Sequence, residues 1–452
     1  MKRFIKLFSL MTLLTFCLAA LPQSVLAANE KPFRAVWVST VYNLDYPTAP
    51  TANAATLKAE ANTVLDNCKK MGMNAIVLQV RPSADAFYPS DIFPWSKYLT
   101  GSQMTAPSDG FDPLAYWITE AHNRGMELHA WINPYRVTKN KDAEWNSISP
   151  QNPAKLHADW VVQYSDGNYY FNPGIPEVRK LVVDGAVELA TNYNIDGIHL
   201  DDYFYPGANF GDSATFAQYG LGFSSIDDWR RDNVNKLIQE LNTAVHQAKP
   251  NISFGVSPAG IWANKKTMAE GSATSGTQTY TGHYADTRKW VKEGWLDYIC
   301  PQVYWYIGQS NANYQILANW WADTVRGTGV KLYMGIADYK AGNTSKSSPW
   351  YGTAAVQDQM ALNQTIPEIS GEMHFRYEFL LTVPGLQEYY TNIHKNGTPS
   401  LLTQMPSKDK QGTWVKLSDN SWKFRNANSS YGCGWKRVDN FWYYFDTQKM
   451  TM

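Results

Sequence analysis

Eight short apolar segments alternate with longer amphipathic segments along residues 33–397, and this alternation limits the folds that the chain can adopt. We predict strands at residues 33–39, 75–81, 128–133, 197–201, 252–257, 296–304, 331–337 and 372–377. We predict helices between them at residues 54–71, 113–124, 176–193, 226–248, 284–293, 312–325 and 354–366. Because eight parallel βα units close into a ring, the pattern predicts an α/β fold, the (β/α)₈ TIM barrel. An open doubly wound sheet is the alternative, although no glycine-rich phosphate loop follows the first predicted strand.

The predicted connections differ in length at the two ends of the barrel. Helix-to-strand connections are short and contain glycine, whereas strand-to-helix connections are long, as at residues 82–112, 134–175 and 258–282. In a TIM barrel all strand-to-helix loops gather at one rim, where catalysis takes place. The asymmetry therefore predicts a deep cleft at that rim.

Side chains alternate along a strand, so strand parity predicts which residues meet inside the barrel. The apolar set of each strand should face the helices, and the remaining set should face the barrel axis. The inward set comprises Trp37, Val77, Gln79, Arg81, His129, Trp131, Asn133, His199, Asp201, Ser257, Gln302 and Tyr304. The inward residues at the carboxyl ends of the strands are mostly polar. Because buried polar groups are costly without partners, we interpret these residues as a substrate site. The alternative is a polar plug whose members satisfy one another.

Asp201 ends the fourth predicted strand, and the adjacent carboxylate, Asp202, begins the loop after it. Neighbouring carboxylates repel each other, which tends to raise the pKa of one of them. Glycoside hydrolysis needs such a pair, with one group protonated and the other ionised. We therefore predict that one protonates the leaving oxygen, while the other attacks the anomeric carbon or orients the acetamido group of the substrate. Asp85, on the loop after the second predicted strand, and Glu378, at the end of the eighth, compete for the second role.

Basic and aromatic residues near the same rim are candidate substrate contacts. Arg81 and Arg136 would hold a carboxylate, such as the lactyl group of muramic acid, or else pair structurally with Asp85 or Asp201. Aromatic rings offer flat apolar faces to sugar rings. The predicted substrate-binding residues are Trp37, Arg81, Asp85, Asn133, Arg136, His199, Tyr203, Tyr205, Ser257, Gln302, Tyr304 and Trp305. Trp131 is a further candidate platform for a sugar.

The sequence predicts neither a metal nor a cofactor. His199 and Asp201 occupy alternate strand positions, but a catalytic zinc usually needs three protein ligands, and His129 is the one other inward candidate. No Gly-x-Ser-x-Gly motif is present, which argues against a serine nucleophile. Three cysteines beyond residue 27, at positions 68, 300 and 433, form no disulfide framework.

The first residues predict export. Lys2, Arg3 and Lys6 precede an apolar run and a small-residue cleavage point, so residues 1–27 are interpreted as a secretory signal peptide rather than a membrane anchor. Removing those three basic residues leaves 37 basic against 40 acidic residues, a net charge of −3. That balance predicts no nucleic-acid partner. No later segment is long and apolar enough to suggest a membrane span.

Residues 406–452 lack a helical period and are rich in aromatic residues. The segment GWKRVDNFWYYFD at 434–446 resembles the choline-binding, or cell-wall-binding, repeat of Gram-positive surface proteins. The resemblance implies β-hairpins whose aromatic residues, here Trp435, Trp442 and Tyr444, bind choline-type wall ligands through cation–π contacts. Such arrays usually need three or more repeats and about two are present, so a truncated array, a tail packed on the barrel and a structural hairpin remain open.

The barrel region resembles the glycosyl-hydrolase-like family ten. The matching stretches are FRAVWVST (33–40), QVRP (79–82), ADAFY (84–88), HAWINPYR (129–136), DGIHLDDYFYP (196–206), GVSP (255–258) and PQVYW (301–305). The resemblance implies a (β/α)₈ glycosidase domain over residues 28–400, with bacterial members acting on peptidoglycan and with Asp201 and Asp202 as catalytic residues. We expect an enzyme secreted to the cell wall or surface of a Gram-positive bacterium. The alternatives are a non-catalytic glycan-binding or wall-anchoring protein and an amylase-like hydrolase of neutral glucans.

Overall fold

Parallel strands form a closed ring within residues 32–395 of the computed structural model, which also describes residues 412–417, 422–426, 434–438 and 441–445. The strands up to residue 395 are β1 (Phe33–Val38), β2 (Ala75–Arg81), β3 (Glu127–Ile132), β4 (Val161–Gln163), β5 (Tyr169–Phe171), β6 (Gly197–Leu200), β7 (Ser253–Val256), β8 (Tyr298–Ile299), β9 (Lys331–Ile336) and β10 (Ile369–His374). The barrel order is β1-β10-β9-β8-β7-β6-β3-β2, and β4 pairs with β5 alone. Neighbouring barrel strands are parallel throughout. The predicted (β/α)₈ TIM barrel is therefore confirmed.

Helices follow the barrel strands, and all seven predicted helices are found. The α-helices are Ala54–Lys70, Lys97–Thr100, Pro113–Asn123, Lys141–Ser147, Pro153–Leu156, Pro176–Asn192, Ser213–Tyr219, Ile226–Ala248, Thr279–Gly282, Thr287–Lys292, Tyr314–Val325, Ala354–Asn363, Tyr377–Thr382 and Leu386–Lys395. Short 3₁₀ helices cover Val41–Asn43, Ser108–Gly110, Ala158–Trp160 and Asp338–Lys340. Capping sets several helix starts, because the side chains of Asn53 and Asp112 accept hydrogen bonds from backbone N–H groups of the first turn.

Two predicted strands differ from the structure by more than one residue at an end. The sixth, predicted at 296–304, is reduced to Tyr298–Ile299, because Pro301 lacks the N–H that a ladder needs. Beyond it, Gln302 makes only isolated bridges to Ala259 and Gly335. The eighth, predicted at 372–377, begins at Ile369 and ends at His374, where the chain turns toward a helix. The prediction that Glu378 ends this strand is wrong, because it lies in that helix.

The inside of the barrel is filled by a small cluster of buried side chains. It comprises Phe33, Ala35, Trp37, Ala75, Val77, Trp131, Tyr298, Cys300, Tyr333 and Met373. The opposite strand faces pack against the helices as part of a much larger cluster. Strand parity therefore predicted the inward and outward sets of the first three strands correctly, with Arg81 as the exception.

Arg81 points away from the barrel axis, contrary to the prediction. The register between β2 and β3 shifts between Gln79 and Arg81, so Arg81 is paired with the outward residue Ile132. Its guanidinium lies 3.9 Å from the ring centroid of Phe93, and a Cβ atom at Gly185 would meet its Nη1 at 2.3 Å. A bulge adds one residue to a strand and reverses the parity beyond it, which the alternation in sequence does not reveal.

Two antiparallel hairpins form the described part of the tail, and they confirm the predicted β-hairpins. Strand β11 (Gly412–Lys416) pairs with β12 (Trp422–Asn426), and β13 (Gly434–Val438) pairs with β14 (Phe441–Phe445). The backbone register places Trp435 opposite Tyr444 and Arg437 opposite Trp442. Binding of a choline-type ligand by this tail stays a prediction.

Some predictions concern residues that the structure does not describe. The proposed signal peptide at 1–27 and Cys433 lie outside the described residues. Cys68 and Cys300 are free and buried, as expected of small apolar side chains. Within the described ranges, no helix combines the length and the apolar character needed to cross a membrane. The boundaries of the predicted domain at 28–400 stay a prediction.

Candidate active site

A pocket of about 510 Å³ opens at the carboxyl ends of the barrel strands. Residues that follow β1, β3, β6, β8, β9 and β10 contribute to its lining. The long strand-to-helix connections surround this rim, so the structure places a cavity where the loop lengths predicted a cleft. Charged side chains line one part of the pocket and aromatic side chains another.

Asp201 follows β6 directly and is held by donors from β3. Trp131 Nε1 donates to Asp201 Oδ2 at 3.2 Å. Asn133 Nδ2 lies 3.0 Å from each carboxylate oxygen of Asp201. Asn133 is itself oriented, because its Oδ1 accepts a hydrogen bond from the backbone N–H of Arg136 at 2.8 Å. These contacts fix the direction of a carboxyl that is only 4% exposed.

Asp202 lines the pocket next to Asp201, and its carboxyl is partly buried. Burial raises the pKa of Asp202, while the charge of His283 and the amide of Gln302 oppose that shift. Burial likewise raises the pKa of Asp201 to about 6, and the charge of Asp202 adds to the rise. Arg136, then Asn133 and Trp131, act in the opposite direction on Asp201. Two adjacent carboxyls with raised pKa values favour a state in which one is protonated.

Two basic side chains line the same pocket as these carboxyls. Arg136 Cζ and Lys139 Nζ lie 5.5 and 5.6 Å from the ring centroid of Tyr203, and all three residues line the pocket. Arg136 is anchored by its Nε, which donates to the carbonyl of Pro82 at 2.8 Å. Among the residues that the structure describes, neither cation forms a salt bridge with a carboxylate within 4.0 Å. Arg136 and Lys139 act on the nearby carboxyls through their charge, without direct contact.

Aromatic rings form the other wall of the pocket. Phe375 lies 5.8 Å from Trp37, 5.9 Å from Tyr304 and 6.2 Å from Tyr339, measured between ring centroids. Phe379 extends the wall, with its ring 6.0 Å from that of Tyr339. Such flat apolar faces suit the C–H faces of sugar rings.

Polar groups at the base of the pocket have unused hydrogen-bonding capacity. Gln79 Oε1 accepts from the backbone N–H groups of Thr40 and Val41, at 3.1 and 3.0 Å. These two donors therefore engage the oxygen of the amide and not its nitrogen. In residues 32–395, neither Gln79 Nε2 nor the Tyr304 hydroxyl has a hydrogen-bond partner, although both atoms are buried. An unpaired buried donor costs about 1–3 kcal/mol.

Arg376 joins the pocket from the end of β10. Its guanidinium binds Asp45 and Glu378, both at 2.5 Å, and packs over Phe379. Asp45 also accepts hydrogen bonds from the backbone N–H groups of Ser39 and Glu378. Glu378 is thus engaged with a structural arginine, which does not support its role as a second catalytic carboxylate.

Six residues predicted to contact substrate do not line the pocket. Arg81 packs on Phe93, as described above. Asp85 is buried beneath the loop after β2, where burial raises its pKa to about 6 and Ser96 partly opposes the shift. The ring of Tyr205 packs against Phe210 and Tyr284, at 5.2 and 5.3 Å. Trp305 packs near Gly260, and His199 lies in the barrel interior below the pocket. Asn133 reaches the site through Asp201, rather than by lining the pocket.

Several pocket residues were not predicted from the sequence. They are Ser39, Val41, Tyr42, Leu44, Lys139, Tyr339, Phe375, Arg376 and Phe379. Tyr339 follows β9, and Phe375 follows β10, so the rule that selected residues after other strands would have found them. Tyr42 and Lys139 lie in loops, and the Tyr42 hydroxyl donates to the carbonyl of Lys139 at 2.7 Å. No periodic pattern in the sequence indicates that contact.

The described residues contain no group of three histidine, cysteine, aspartate or glutamate side chains arranged to hold a metal ion. His199 is enclosed by Trp37, Ser257 and Tyr298, at 3.2, 2.8 and 3.0 Å, so its ring nitrogens are already engaged. The arrangement at the pocket therefore offers acid–base chemistry by carboxyl groups.

Residues 32–353 match the family described as "Glycosyl hydrolase-like 10". The chain is 41% identical over 428 residues to "Glycosyl hydrolase YngK" of Bacillus subtilis (strain 168), covering 90% of this chain and 82% of that protein. It is 41% identical over 380 residues to "Glycosyl hydrolase DigH" of Escherichia coli (strain K12), covering 79% of this chain and 86% of that protein. Its fold is similar to the PgaB (BpsB) glycoside hydrolase domain from Bordetella bronchiseptica, with a TM-score of 0.52, 14% identity, and coverage of 80% of this chain and 98% of that chain.

Proposed function

The chain belongs to the glycosyl hydrolase-like 10 family and is a glycoside hydrolase, and we propose that it cleaves the amino-sugar strands of bacterial peptidoglycan with Asp201 and Asp202 as its acid–base pair. The observation that carries the proposal is the position of these carboxyls. They are adjacent, have raised pKa values, and lie at the carboxyl ends of the strands in a pocket with an aromatic wall.

The proposed chemistry assigns one shared proton to the pair. A protonated carboxyl donates to the leaving oxygen, and the ionised partner attacks the anomeric carbon or orients an acetamido group that attacks it. Asp201 is rigidly oriented by Asn133 and Trp131, whereas Asp202 is partly exposed to the pocket. Because the charge of Asp202 raises the pKa of Asp201, we assign the proton to the site and not to one residue.

Arg136 and Lys139, which we call the cationic edge of the pocket, support an acidic glycan as the substrate. Arg136 and Lys139 lie together on Tyr203 at the pocket, and charge-assisted hydrogen bonds to a carboxylate are stronger than neutral ones. Muramic acid carries a lactyl carboxylate, which is free only where the stem peptide has been removed. We therefore expect faster cleavage of strands without stem peptides than of intact peptidoglycan.

The location of the enzyme is part of the proposal. A peptidoglycan substrate requires export, for which residues 1–27 would serve, and the tail would hold the enzyme at the wall. Trp435, Trp442 and Tyr444 would then contact choline-type or other wall ligands. Removing residues after 406 should weaken binding to whole cells and leave cleavage of soluble glycans unchanged.

The deciding experiment is digestion of purified polymers by the full-length mature protein. The panel comprises intact peptidoglycan, strands freed of stem peptides, and soluble starch. The proposal predicts new reducing ends bearing amino sugars from the peptidoglycan samples, with the stripped strands cleaved faster. Reducing ends from starch alone would replace it with a neutral-glucan hydrolase, and release from none of the polymers would favour a glycan-binding protein.

A further inference from the structure

A single file of hydrogen-bonded side chains runs through the barrel interior, from the base of the pocket to the opposite mouth. Ser257 Oγ lies 2.8 Å from His199 Nε2, and His199 Nδ1 lies 3.0 Å from the Tyr298 hydroxyl. The same hydroxyl lies 3.0 Å from His129 Nδ1, and His129 Nε2 lies 3.1 Å from Glu127 Oε2. Ser257 lines the pocket, whereas Glu127 begins β3 at the other end of the barrel and is half exposed.

Two glycines make room for this file. Gly197 is paired with His129 across β6 and β3, and a Cβ atom there would lie 2.3 Å from His129 Nδ1. Gly255 is paired with Tyr298 across β7 and β8, and a Cβ atom there would lie 2.2 Å from the tyrosine ring. Larger residues at either position would displace a ring, so the close spacing depends on these glycines.

Trp37 sets the direction of the hydrogen bonds from the pocket end. Its indole N–H can only donate, and it points at His199 Nε2 at 3.2 Å. His199 Nε2 is therefore an acceptor, and the proton of this neutral ring is on Nδ1. Burial lowers the pKa of His199 well below its usual range, which is consistent with a neutral ring. Trp37 and Ser257 share the single lone pair of His199 Nε2, and the Leu200 carbonyl, 3.4 Å from Ser257 Oγ, is a second acceptor for the serine hydrogen. His199 Nε2, at 2.8 Å, is the nearer of the two acceptors.

Glu127 sets the same direction from the other end. An ionised carboxylate can only accept, so His129 donates to Glu127 from Nε2. The Tyr298 hydroxyl then donates to His129 and accepts from His199 Nδ1. Because the Tyr298 oxygen already accepts from His199, its hydrogen is directed to His129 Nδ1, and every donor in the file points from the pocket toward Glu127.

We propose that this one-way file makes Ser257 a dedicated acceptor in the pocket, with His199, Tyr298 and His129 as positioning residues that act through it. Because its hydrogen is directed to His199 or, at longer range, to the Leu200 carbonyl, Ser257 Oγ presents only lone pairs to the pocket. It therefore selects a hydroxyl or amide N–H of the bound saccharide and disfavours an acceptor at that point. This role rests on the proposed glycan substrate, whereas the proton positions in the file do not.

The proton positions are testable in the wild-type protein without any substrate. Long-range ¹H–¹⁵N spectra of protein labelled in histidine at pH 7 should show His199 protonated on Nδ1 and His129 protonated on Nε2. Assignment uses His129→Gln and His199→Gln, or neutron diffraction of the wild type if either variant fails to fold. A proton on His199 Nε2, or on both of its nitrogens, would overturn the proposal even if the enzyme cleaves peptidoglycan.

Action through Ser257 is testable by a double-mutant cycle on the best substrate of the polymer panel. Ser257→Ala and Tyr298→Phe should each raise KM about fivefold, the factor that one net hydrogen bond is worth. The double variant should be no worse than Ser257→Ala alone, because Tyr298 acts through the serine. Tyr314→Phe is the matched control, since its buried hydroxyl binds Asn363 outside the barrel, and it should not change KM. If KM of the double variant rises by the product of the two single effects, the positioning role is contradicted.

Discussion

Asn133 Nδ2 donates to both carboxylate oxygens of Asp201, at 3.0 Å each, across neighbouring strands of the barrel. This contact lowers the pKa of Asp201 against the larger effect of burial, which raises it to about 6. The wild-type kcat/KM should therefore fall as pH rises above about 6, because the proton of the carboxyl pair is lost.

Asn133→Ala should move that alkaline limb to higher pH, because a donor that stabilises the ionised carboxyl has been removed. The loss of orientation should also lower kcat, by about tenfold or more. The pH profiles of the variant and the wild type on soluble glycan strands provide the measurement. If the alkaline limb of the variant's pH profile lies at the same pH as that of the wild type, the ionisation of Asp201 does not determine it.

Ionised Asp201 should destabilise the fold. Its pKa is raised above the ordinary value of 3.8 to about 6, so its stabilising contribution is complete below pH 3.8 and is lost as pH rises to about 6. Asp201→Asn should therefore raise the free energy of unfolding at pH 7 by about 1–3 kcal/mol, with little change at pH 3.5. Calorimetry at both values tests this. Asp184→Asn, which removes an exposed partner of Lys180, should have almost no effect at either pH.

The cationic edge should determine preference among glycans. Lys139→Ala and Arg136→Ala should raise KM for stripped peptidoglycan strands by about tenfold, since each removes a charge-assisted contact. The same variants should behave like wild type on strands whose carboxylates have been amidated. Lys155→Ala is a suitable control, because Lys155 lies over Trp145 and does not line the pocket. Equal losses on both substrates would argue against carboxylate recognition.

Gly255 should be intolerant of a side chain. A Cβ atom at this position would lie 2.2 Å from the ring of Tyr298 inside a packed barrel. Gly255→Ala should destabilise the protein by about 1–3 kcal/mol, a typical cost of overpacking. Gly282→Ala, whose new Cβ atom would make an ordinary 3.7 Å contact with Thr277, should leave the melting temperature nearly unchanged. Equal melting temperatures for both variants would show that Tyr298 can shift freely.

Periodic features of the sequence predicted most of the barrel. Alternation along β1, β2 and β3 placed Trp37, Val77 and Trp131 inside correctly, because each of these strands has one apolar face toward the helices. Arg81 was placed wrongly, since the irregularity before it reverses the parity without a mark in the sequence. Local alternation carries information about faces, but not about bulges.

The candidate site was predictable where residues end strands. Asp201 and Ser257 are at the pocket because they follow β6 and β7 directly. Tyr205 and Trp305 lie further into their loops, where the chain turns and carries their rings away from the pocket. Lys139 reaches the pocket through a loop fold that depends on contacts between distant segments, such as the bridge of Arg136 to Tyr170. Such contacts have no local signature in the sequence.

The most direct test of the account measures the release of reducing ends from stripped peptidoglycan strands by wild type, Asp201→Asn and Asp202→Asn. Acid–base catalysis contributes about 10²–10⁴-fold, so each variant should lose activity by that order while keeping its fold and its binding of the strands. Near-normal turnover by both variants, with the wild type active, would contradict the assignment of the carboxyl pair.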